Sequence, residues 1–142
     1  MNFNTLRQLI IDNLAGIAPN VSFTANNKRS QSATYTAVYL YEKPQEHNLS
    51  GGNMIVIRPN EISGGSPCRT YAVELKVCSK ELADLITIAD GLKNALDIYR
   101  NPTPDSLPDY TGMQLNNDGG VYYDDTEKLY VNRLYFVCYR GI

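Results

Sequence analysis

The chain has 142 residues, of which 43% are apolar and 20% charged, a composition typical of one soluble domain with its own core. A formal net charge of −2 excludes an overall basic surface for nucleic acid, and no apolar run approaches the roughly 20 residues that span a bilayer. Arg7 is the one basic residue of the first sixteen and Asp12 interrupts their apolar part, which does not fit a signal peptide. We therefore expect a single domain over residues 1–142, made in the cytoplasm.

The first predicted element is a helix from about Asn4 to Leu14. Its apolar residues recur at helical spacing, and Gly16 with Pro19 predicts its end. A short strand is predicted at 21–25, and the ten polar residues after it predict a loop.

Two further strands are predicted at 37–41 and 54–58, and the segment between them has no apolar periodicity. We expect these strands to form a hairpin with a long, flexible projecting arm near 43–53. A loop of this length is usually functional or disordered. The only histidine, His47, lies in this arm, where a lone histidine is far more often exposed than catalytic.

The stretch from Tyr71 to Leu96 carries the clearest pattern. Apolar residues alternate from Tyr71 to Val77, which predicts a half-buried strand, and Ser79 then predicts a helix N-cap. The period changes to three and four residues after Ser79, so we expect one buried helical stripe. Its predicted members are Leu82, Leu85, Ile86, Ala89, Leu92 and Leu96.

Three prolines in the segment near 99–112 prevent the helix from continuing, and they predict a proline-rich crossover or extended arm. A short strand is predicted at Met113–Leu115, followed by a turn at the sequence NNDGG, residues 116–120. The last strand places Leu134, Phe136 and Cys138 on one face and Arg133, Tyr135, Val137 and Tyr139 on the other. Because both faces are largely apolar, we expect one face to contact a helix and the other a neighbouring subunit.

The order of these elements predicts an α+β fold, in which a mostly antiparallel sheet of four to six strands packs against two main helices, with a long projecting hairpin arm. The composition includes 11 tyrosines and no tryptophan. Tyrosine favours strands and also half-wet interfaces, and we expect most of the tyrosines to lie on sheet faces.

No motif for catalysis or for cofactor binding is present, and we expect neither an enzyme nor a cofactor. The glycine pairs do not match phosphate-binding loops, and one histidine with three scattered cysteines gives no zinc spacing. Cys78 and Cys138 lie in strand patterns and are expected to be buried, reduced thiols. The one acidic cluster lacks the calcium-loop spacing and is as well explained by a solvated turn; its members are Asp118, Asp124, Asp125 and Glu127.

A helix, a loose hairpin, the strand–helix segment LxVCSKELADLITIADGLKNALD, a variable loop and the late strand LYVNRLYFVCYR follow one another along the chain. This arrangement resembles the tail-terminator and tail-completion, or head–tail joining, proteins of tailed bacteriophages. The resemblance covers nearly the whole chain in layout and rests on pattern, since these families have no invariant ligand motif.

The resemblance implies a structural virion protein of the tail or neck, assembled in the bacterial host cytoplasm. Such proteins form homo-oligomeric rings, commonly of six subunits, that cap the tail tube and join it to the head connector. Genome DNA passes through the lumen without specific binding, and no membrane is involved. We place the subunit or partner interface on the arm and on the last strand, with Glu46, His47, Leu49, Tyr135, Val137 and Tyr139 as its candidate residues.

A different class of function is also compatible with the sequence. A small, non-enzymatic binding module could use a tyrosine-rich sheet face and the arm to bind a peptide or a sugar. That alternative predicts a concave, tyrosine-lined pocket within one subunit, whereas the ring predicts unlike contact patches on its surface.

Overall fold

A computed structural model describes Leu6, Arg7, Ile10 and residues 36–41, 53–63, 68–96 and 112–141, with the backbone alone at 36–37, 61–63, 68–70, 112 and 139–141. These residues form five strands and one long helix. In chain order they are β1 (Thr36–Leu40), β2 (Asn53–Ser63), β3 (Cys68–Ser79), α1 (Leu82–Leu96), β4 (Gly112–Asp124) and β5 (Leu129–Gly141).

The five strands form one mixed sheet in the order β1-β2-β3-β5-β4. β2, β3, β5 and β4 are antiparallel to their neighbours, and β1 alone is parallel to β2. The mostly antiparallel sheet is therefore confirmed. β3 is the central strand, because both of its edges are paired along most of its length. This position agrees with its strong alternating pattern.

The predicted hairpin of 37–41 with 54–58 is wrong. β1 and β2 run in the same direction, with Thr36 opposite Asn53 and Leu40 opposite Ile57. A parallel pair requires a crossover of about a dozen residues, and the connection between the two strands has that length. The predicted bound of the arm at residue 53 is also wrong, because Asn53 is buried as the first residue of β2. Residues 43–52 lie outside the described residues.

The helix after β3 is confirmed, but two members of its predicted stripe are wrong. Leu82 and Ile86 are 41% and 44% exposed, whereas Ile88, which the predicted stripe does not include, is fully buried. Each helical residue turns by about 100°, so Ile86 is directed away from the stripe that Leu85 begins. The buried stripe consists of Leu85, Ile88, Ala89, Leu92 and Leu96.

Ser79 lies two residues before the N-cap position rather than at it. The Leu85 amide donates to the Glu81 carbonyl at 3.1 Å, which makes Glu81 the N-cap. The Ser79 hydroxyl accepts a 3.0 Å hydrogen bond from the Glu81 amide and donates to the side-chain oxygen of Asn53. Ser79 therefore holds the turn between β3 and α1, and it connects that turn to β2.

The main core lies between the sheet and α1, on what we call the helix face. The helix stripe packs there against Ile55, Val73, Leu75, Leu134 and Phe136, among other buried residues. Leu6 and Ile10 belong to the same core and are helical together with Arg7, which agrees with the predicted first helix; the rest of that helix lies outside the described residues. The opposite side of the sheet, here the far face, carries a second buried cluster, formed by Tyr39, Met54, Val56, Cys78, Leu129 and Val131.

The predicted turn at NNDGG is wrong, because β4 continues through these residues. The register with β5 shifts twice, between Leu115 and Asn117 and between Asp118 and Val121, which marks two bulges. A Cβ atom at Gly119 would lie 3.0 Å from the Arg133 carbonyl oxygen, and Gly120 has a φ of +77°. Glycine permits such a close approach and such a backbone angle, so it suits a bulge as well as a turn.

The turn between β4 and β5 is formed instead by residues 125–128, as the solvated-turn interpretation of the acidic cluster predicted. One Asp124 carboxylate oxygen accepts the amides of Thr126 and Glu127 at 2.9 Å and 3.0 Å. Lys128 closes the turn with a φ of 59°, and its amide donates to the Asp124 carbonyl at 2.7 Å. Asp124 therefore stabilises this turn through both its side chain and its backbone.

Cys78 and Cys138 are buried cysteines in the thiol form, as predicted. Cys138 lies in the main core and Cys78 in the far-face cluster. Burial in apolar surroundings disfavours the thiolate and raises the pKa of Cys138 to about 12. Both thiols therefore serve as small apolar side chains in packing.

A salt bridge joins α1 to β4 at the rim of the main core. The Lys93 ammonium lies 2.9 Å from the Asp118 carboxylate and 3.2 Å from the Asp90 carboxylate. The Gly120 amide also donates to Asp118, at 2.9 Å, inside the second bulge. The pKa of Asp118 is lowered, most by the hydrogen bond from the Gly120 amide and next by the bond with Lys93. The same bond with Asp118 raises the pKa of Lys93.

Replacing Leu85 or Leu92 by alanine is expected to lower the free energy of unfolding by about 2–5 kcal/mol, because each change leaves a cavity in the main core. Ile86→Ala removes a similar side chain from an exposed position and is expected to cost less than about 1 kcal/mol. Urea unfolding of the three variants measures the difference. An Ile86→Ala cost equal to that of Leu85→Ala would contradict this orientation of α1.

Asp118→Asn is expected to lower stability by less than about 1 kcal/mol at pH 7, because the carboxylate is partly exposed and screened. The folded-state pKa of Asp118 is lowered, so its contribution is complete above the unfolded value of about 3.9 and is lost as pH falls through the folded value. Unfolding curves of wild type and variant should therefore converge in acid. Asp90 pairs with Lys93 but does not share the Gly120 amide that binds Asp118. Asp90→Asn should therefore lower the free energy of unfolding at pH 7 by less than Asp118→Asn does.

Candidate interaction surface

The structure describes the side chains of two of the six predicted interface residues, Tyr135 and Val137. Glu46, His47 and Leu49 lie outside the described residues, and Tyr139 is described by its backbone alone. Tyr135 and Val137 lie on the far face, because residues of β5 alternate and Leu134, Phe136 and Cys138 take the helix face. Neither of the two is fully buried, since Tyr135 is exposed and Val137 is half-buried.

The charged side chains in the middle of the far face pair across strands. The Arg133 guanidinium lies 2.5 Å from the Glu74 carboxylate of β3, and it donates to the Tyr122 hydroxyl of β4 at 3.2 Å. The pKa of Arg133 is raised above its usual value, most by the hydrogen bond with Tyr122 and next by the bond with Glu74. Lys76 reaches Glu127 at 3.9 Å. Since these charges are largely matched within the subunit, this region gives little net attraction to a charged partner.

The acidic cluster of the sequence is dispersed in the fold. Asp118 binds Lys93 on the helix face, Asp124 caps the β4–β5 turn, and Glu127 approaches Lys76 on the far face. Among the residues that the structure describes, no group of three acidic, histidine or cysteine side chains converges as metal ligands would. The arrangement therefore uses these carboxylates within the subunit.

The end of β4 exposes three consecutive large side chains. Val121, Tyr122 and Tyr123 are each 41–48% exposed, and β4 is an edge strand of the described sheet. Tyr123 packs edge-to-face against Tyr130 with ring centres 5.1 Å apart, which orients its ring. The adjoining Asp124 and Asp125 add negative charge. We call residues 121–125 the β4 corner.

The other edge of the sheet exposes a tyrosine beside an arginine. Tyr41 follows β1, is 58% exposed and has a φ of 74°, which is rare for a bulky residue. Its amide donates to the Ile57 carbonyl at 2.7 Å, and its carbonyl accepts from the exposed Arg58 side chain at 3.1 Å. We call Tyr41 and Arg58 the β1 corner. Next to it, Arg7 donates to the Val38 carbonyl at 2.7 Å and so occupies part of the β1 backbone.

Sequence reasoning missed both corners. It predicts Tyr41 as the last residue of a strand in a hairpin, and it places residues 121–123 directly after a turn. The surplus of tyrosine was the one available signal, but it did not identify which tyrosines are exposed. Their exposure depends on the strand order, which places β1 and β4 at the two edges.

No helix among the described residues is long and apolar enough to cross a bilayer. No family model matches the chain, and neither does any curated protein. Solved structures do match. One is a chain from a structure of the virion of a native gene transfer agent particle, with a TM-score of 0.50 and 12% sequence identity over 74% of this chain and 78% of that chain. At this level of identity, the similarity is one of fold.

Proposed function

We propose that this protein is a non-enzymatic structural component of a virion, and that it forms a ring at the end of a tail in the manner of a tail terminator. The observation that carries the proposal is the fold shared with a virion protein across about three quarters of both chains. The order of elements, apart from the predicted hairpin that β1 and β2 do not form, resembles the tail-terminator and tail-completion proteins and supports the same proposal.

The surface of the described residues suits an assembling subunit. A ring is built from heterologous contacts, in which one patch binds a different patch on the neighbour. The β1 corner and the β4 corner are two such unlike patches, and both expose tyrosine, a residue enriched at interfaces. Tyr135 and Val137 add a partly exposed apolar surface on the far face, which we assign to contacts with a neighbouring subunit or tail protein.

The partners in this proposal are other copies of the chain, tail-tube proteins and head-connector proteins. Glu46, His47 and Leu49 remain proposed contact residues for these partners. Genome DNA would pass through the lumen without specific binding, which suits the slightly acidic chain. The protein would act in the virion tail or neck after assembly in the bacterial host cytoplasm.

The binding-module alternative receives less support from the exposed tyrosines. Tyr122 and Tyr123 are adjacent in β4 and therefore point to opposite faces of the sheet, and Tyr41 lies at the other edge. These three rings do not surround one concavity. They lie instead at the two edges of the described sheet, where neighbouring molecules would contact them.

The native mass of the purified full-length chain tests the proposal. Native mass spectrometry and analytical ultracentrifugation are expected to show a closed oligomer of several subunits, either in free solution or after addition of tail tubes. Copies that assemble on a tube should cap its end, and electron microscopy of tube ends measures this directly. A chain that stays monomeric and never binds a tube would contradict the ring.

Replacing residues 44–52 by nine glycine and serine residues tests the arm separately from the ring. We expect this chain to fold, because it keeps the length that the parallel crossover from β1 to β2 requires, and to lose docking to the tail tube or the connector. Circular dichroism and unfolding curves check the fold, and tube capping checks docking. Normal capping by the substituted chain would show that Glu46, His47 and Leu49 are dispensable.

A further inference from the structure

We infer that the β4 corner of one copy binds the β1 corner of the next copy, so that copies join head to tail. The inference rests on the proposed function, because a ring needs one heterologous contact repeated between neighbours.

The β4 corner is apolar and acidic. Val121 and Tyr123 are exposed on one face of this edge strand and Tyr122 on the other, so together they surround its edge. The Tyr122 hydroxyl accepts from Arg133, and the edge-to-face contact with Tyr130 limits the motion of the Tyr123 ring. Asp125 is exposed beside them, in the turn that Asp124 stabilises. Rigid aromatic side chains lose little conformational entropy on binding, which makes this corner an effective contact surface.

The β1 corner is aromatic and basic. Tyr41 is the most exposed large apolar side chain among the described residues, and Arg58 donates to its carbonyl. The positive φ of Tyr41 costs energy that the fold must offset elsewhere, and such positions concentrate at functional sites. Hydrogen bonds at both its amide and its carbonyl hold Tyr41 in this conformation, with its ring directed outward. Tyrosine and arginine are also the residue types most enriched among energetic hot spots.

The charges of the two corners select between possible pairings. A two-fold contact between β4 corners would bring the Asp124 and Asp125 pairs of two copies together, and a two-fold contact between β1 corners would oppose two Arg58 side chains. Like charges in an interface are unfavourable, whereas Arg58 against Asp125 is favourable. Head-to-tail pairing is thus the arrangement that matches both aromatic surfaces and both charges.

The positions of the corners require two molecules. β1 and β4 are separated by three strands, or about 19 Å across the sheet at a spacing of about 4.8 Å. Arg58 and the neighbouring Tyr41 are level with Glu74 and Tyr135 near the middle of β3 and β5, whereas Asp124 pairs with Leu129 at the start of β5. The corners therefore lie at opposite edges of the sheet and at different levels along it, and one chain cannot bring them together.

Charge reversal tests the contact with the full-length chain. Arg58→Glu places two acidic groups at each contact and Asp125→Arg places two basic groups there. Each variant alone is expected to raise the concentration for half assembly at least tenfold, because like charges then face each other. Native mass spectrometry and ultracentrifugation measure the assembly, and unfolding curves confirm that each variant is folded.

A mixture of the two variants provides the decisive test. In alternating order, the glutamate introduced at position 58 of one variant meets the arginine introduced at position 125 of the other. The next contact pairs the unchanged Arg58 with the unchanged Asp125. The equimolar mixture should therefore regain assembly, with equal numbers of both variants in each closed oligomer. Asn94→Glu, which adds an acidic group at an exposed position near the end of α1, should assemble like the wild type.

Apolar variants give an independent readout. Val121→Ser should weaken assembly at least tenfold, whereas Ile86→Ser, at an equally exposed position on α1, should not. Tyr41→Asn should weaken assembly without lowering the melting temperature, because asparagine tolerates the positive φ better than tyrosine.

The outcomes distinguish this contact from the ring itself. Wild-type assembly that is unaffected by Arg58→Glu, Asp125→Arg and Val121→Ser would overturn the assigned contact and leave the ring in place. Assembly that weakens with each reversal but is not restored by mixing would also overturn it. A wild type that is monomeric in solution and on tail tubes would overturn both proposals.

Discussion

Burial of the central strand β3 is the interaction on which the rest of the structure depends. Val73, Leu75 and Val77 are almost completely removed from water, between β2 and β5 within the sheet and beneath α1. Each such side chain contributes roughly 1.5–3 kcal/mol on burial, which is large beside a total stability of about 5–15 kcal/mol for a domain. Because β3 leads into α1 through one short turn, the helix stripe can pack directly onto the sheet that β3 organises.

The polar groups near this core arrange its periphery and contribute less stability. Ser79 connects the β3–α1 turn to Asn53 of β2, and Lys93 connects α1 to Asp118 at the second bulge of β4. The partly exposed Lys93–Asp118 pair contributes at most about 1 kcal/mol, and a buried neutral hydrogen bond such as that of Ser79 with Asn53 contributes about as much. These contacts therefore set positions more than they hold the fold together. By bending β4, the two bulges place Val121, Tyr122 and Tyr123 at the exposed end of an edge strand.

The two edge strands of the sheet differ in length and in exposed apolar surface, and the proposed assembly depends on this difference. Exposed strand edges tend to pair with other chains unless they are short, covered or charged. β1 has five residues and Arg7 binds one of its carbonyls, whereas β4 has thirteen residues and ends in three exposed apolar side chains. Among the residues that the structure describes, the β1 edge thus offers Tyr41 and Arg58 to a neighbour, and the β4 edge presents a broader surface.

The sequence by itself determined the α+β class, the alternating strand β3, the helix that follows it, the last strand β5 and the burial of Cys78 and Cys138. These features follow from local periodicity, which residues close in sequence carry completely. Only the tertiary structure decided that β1 is parallel to β2, that residues 116–120 bulge rather than turn, and that Ile88 rather than Ile86 faces the core. It also decided that the face of β5 with Arg133, Tyr135 and Val137, which the alternating pattern predicts, lies on the side of the sheet opposite α1, and that the exposed tyrosines lie at opposite edges of the sheet. The reason is physical: strand direction, bulges and exposure depend on which distant segments become neighbours, and no local pattern of residues contains that information.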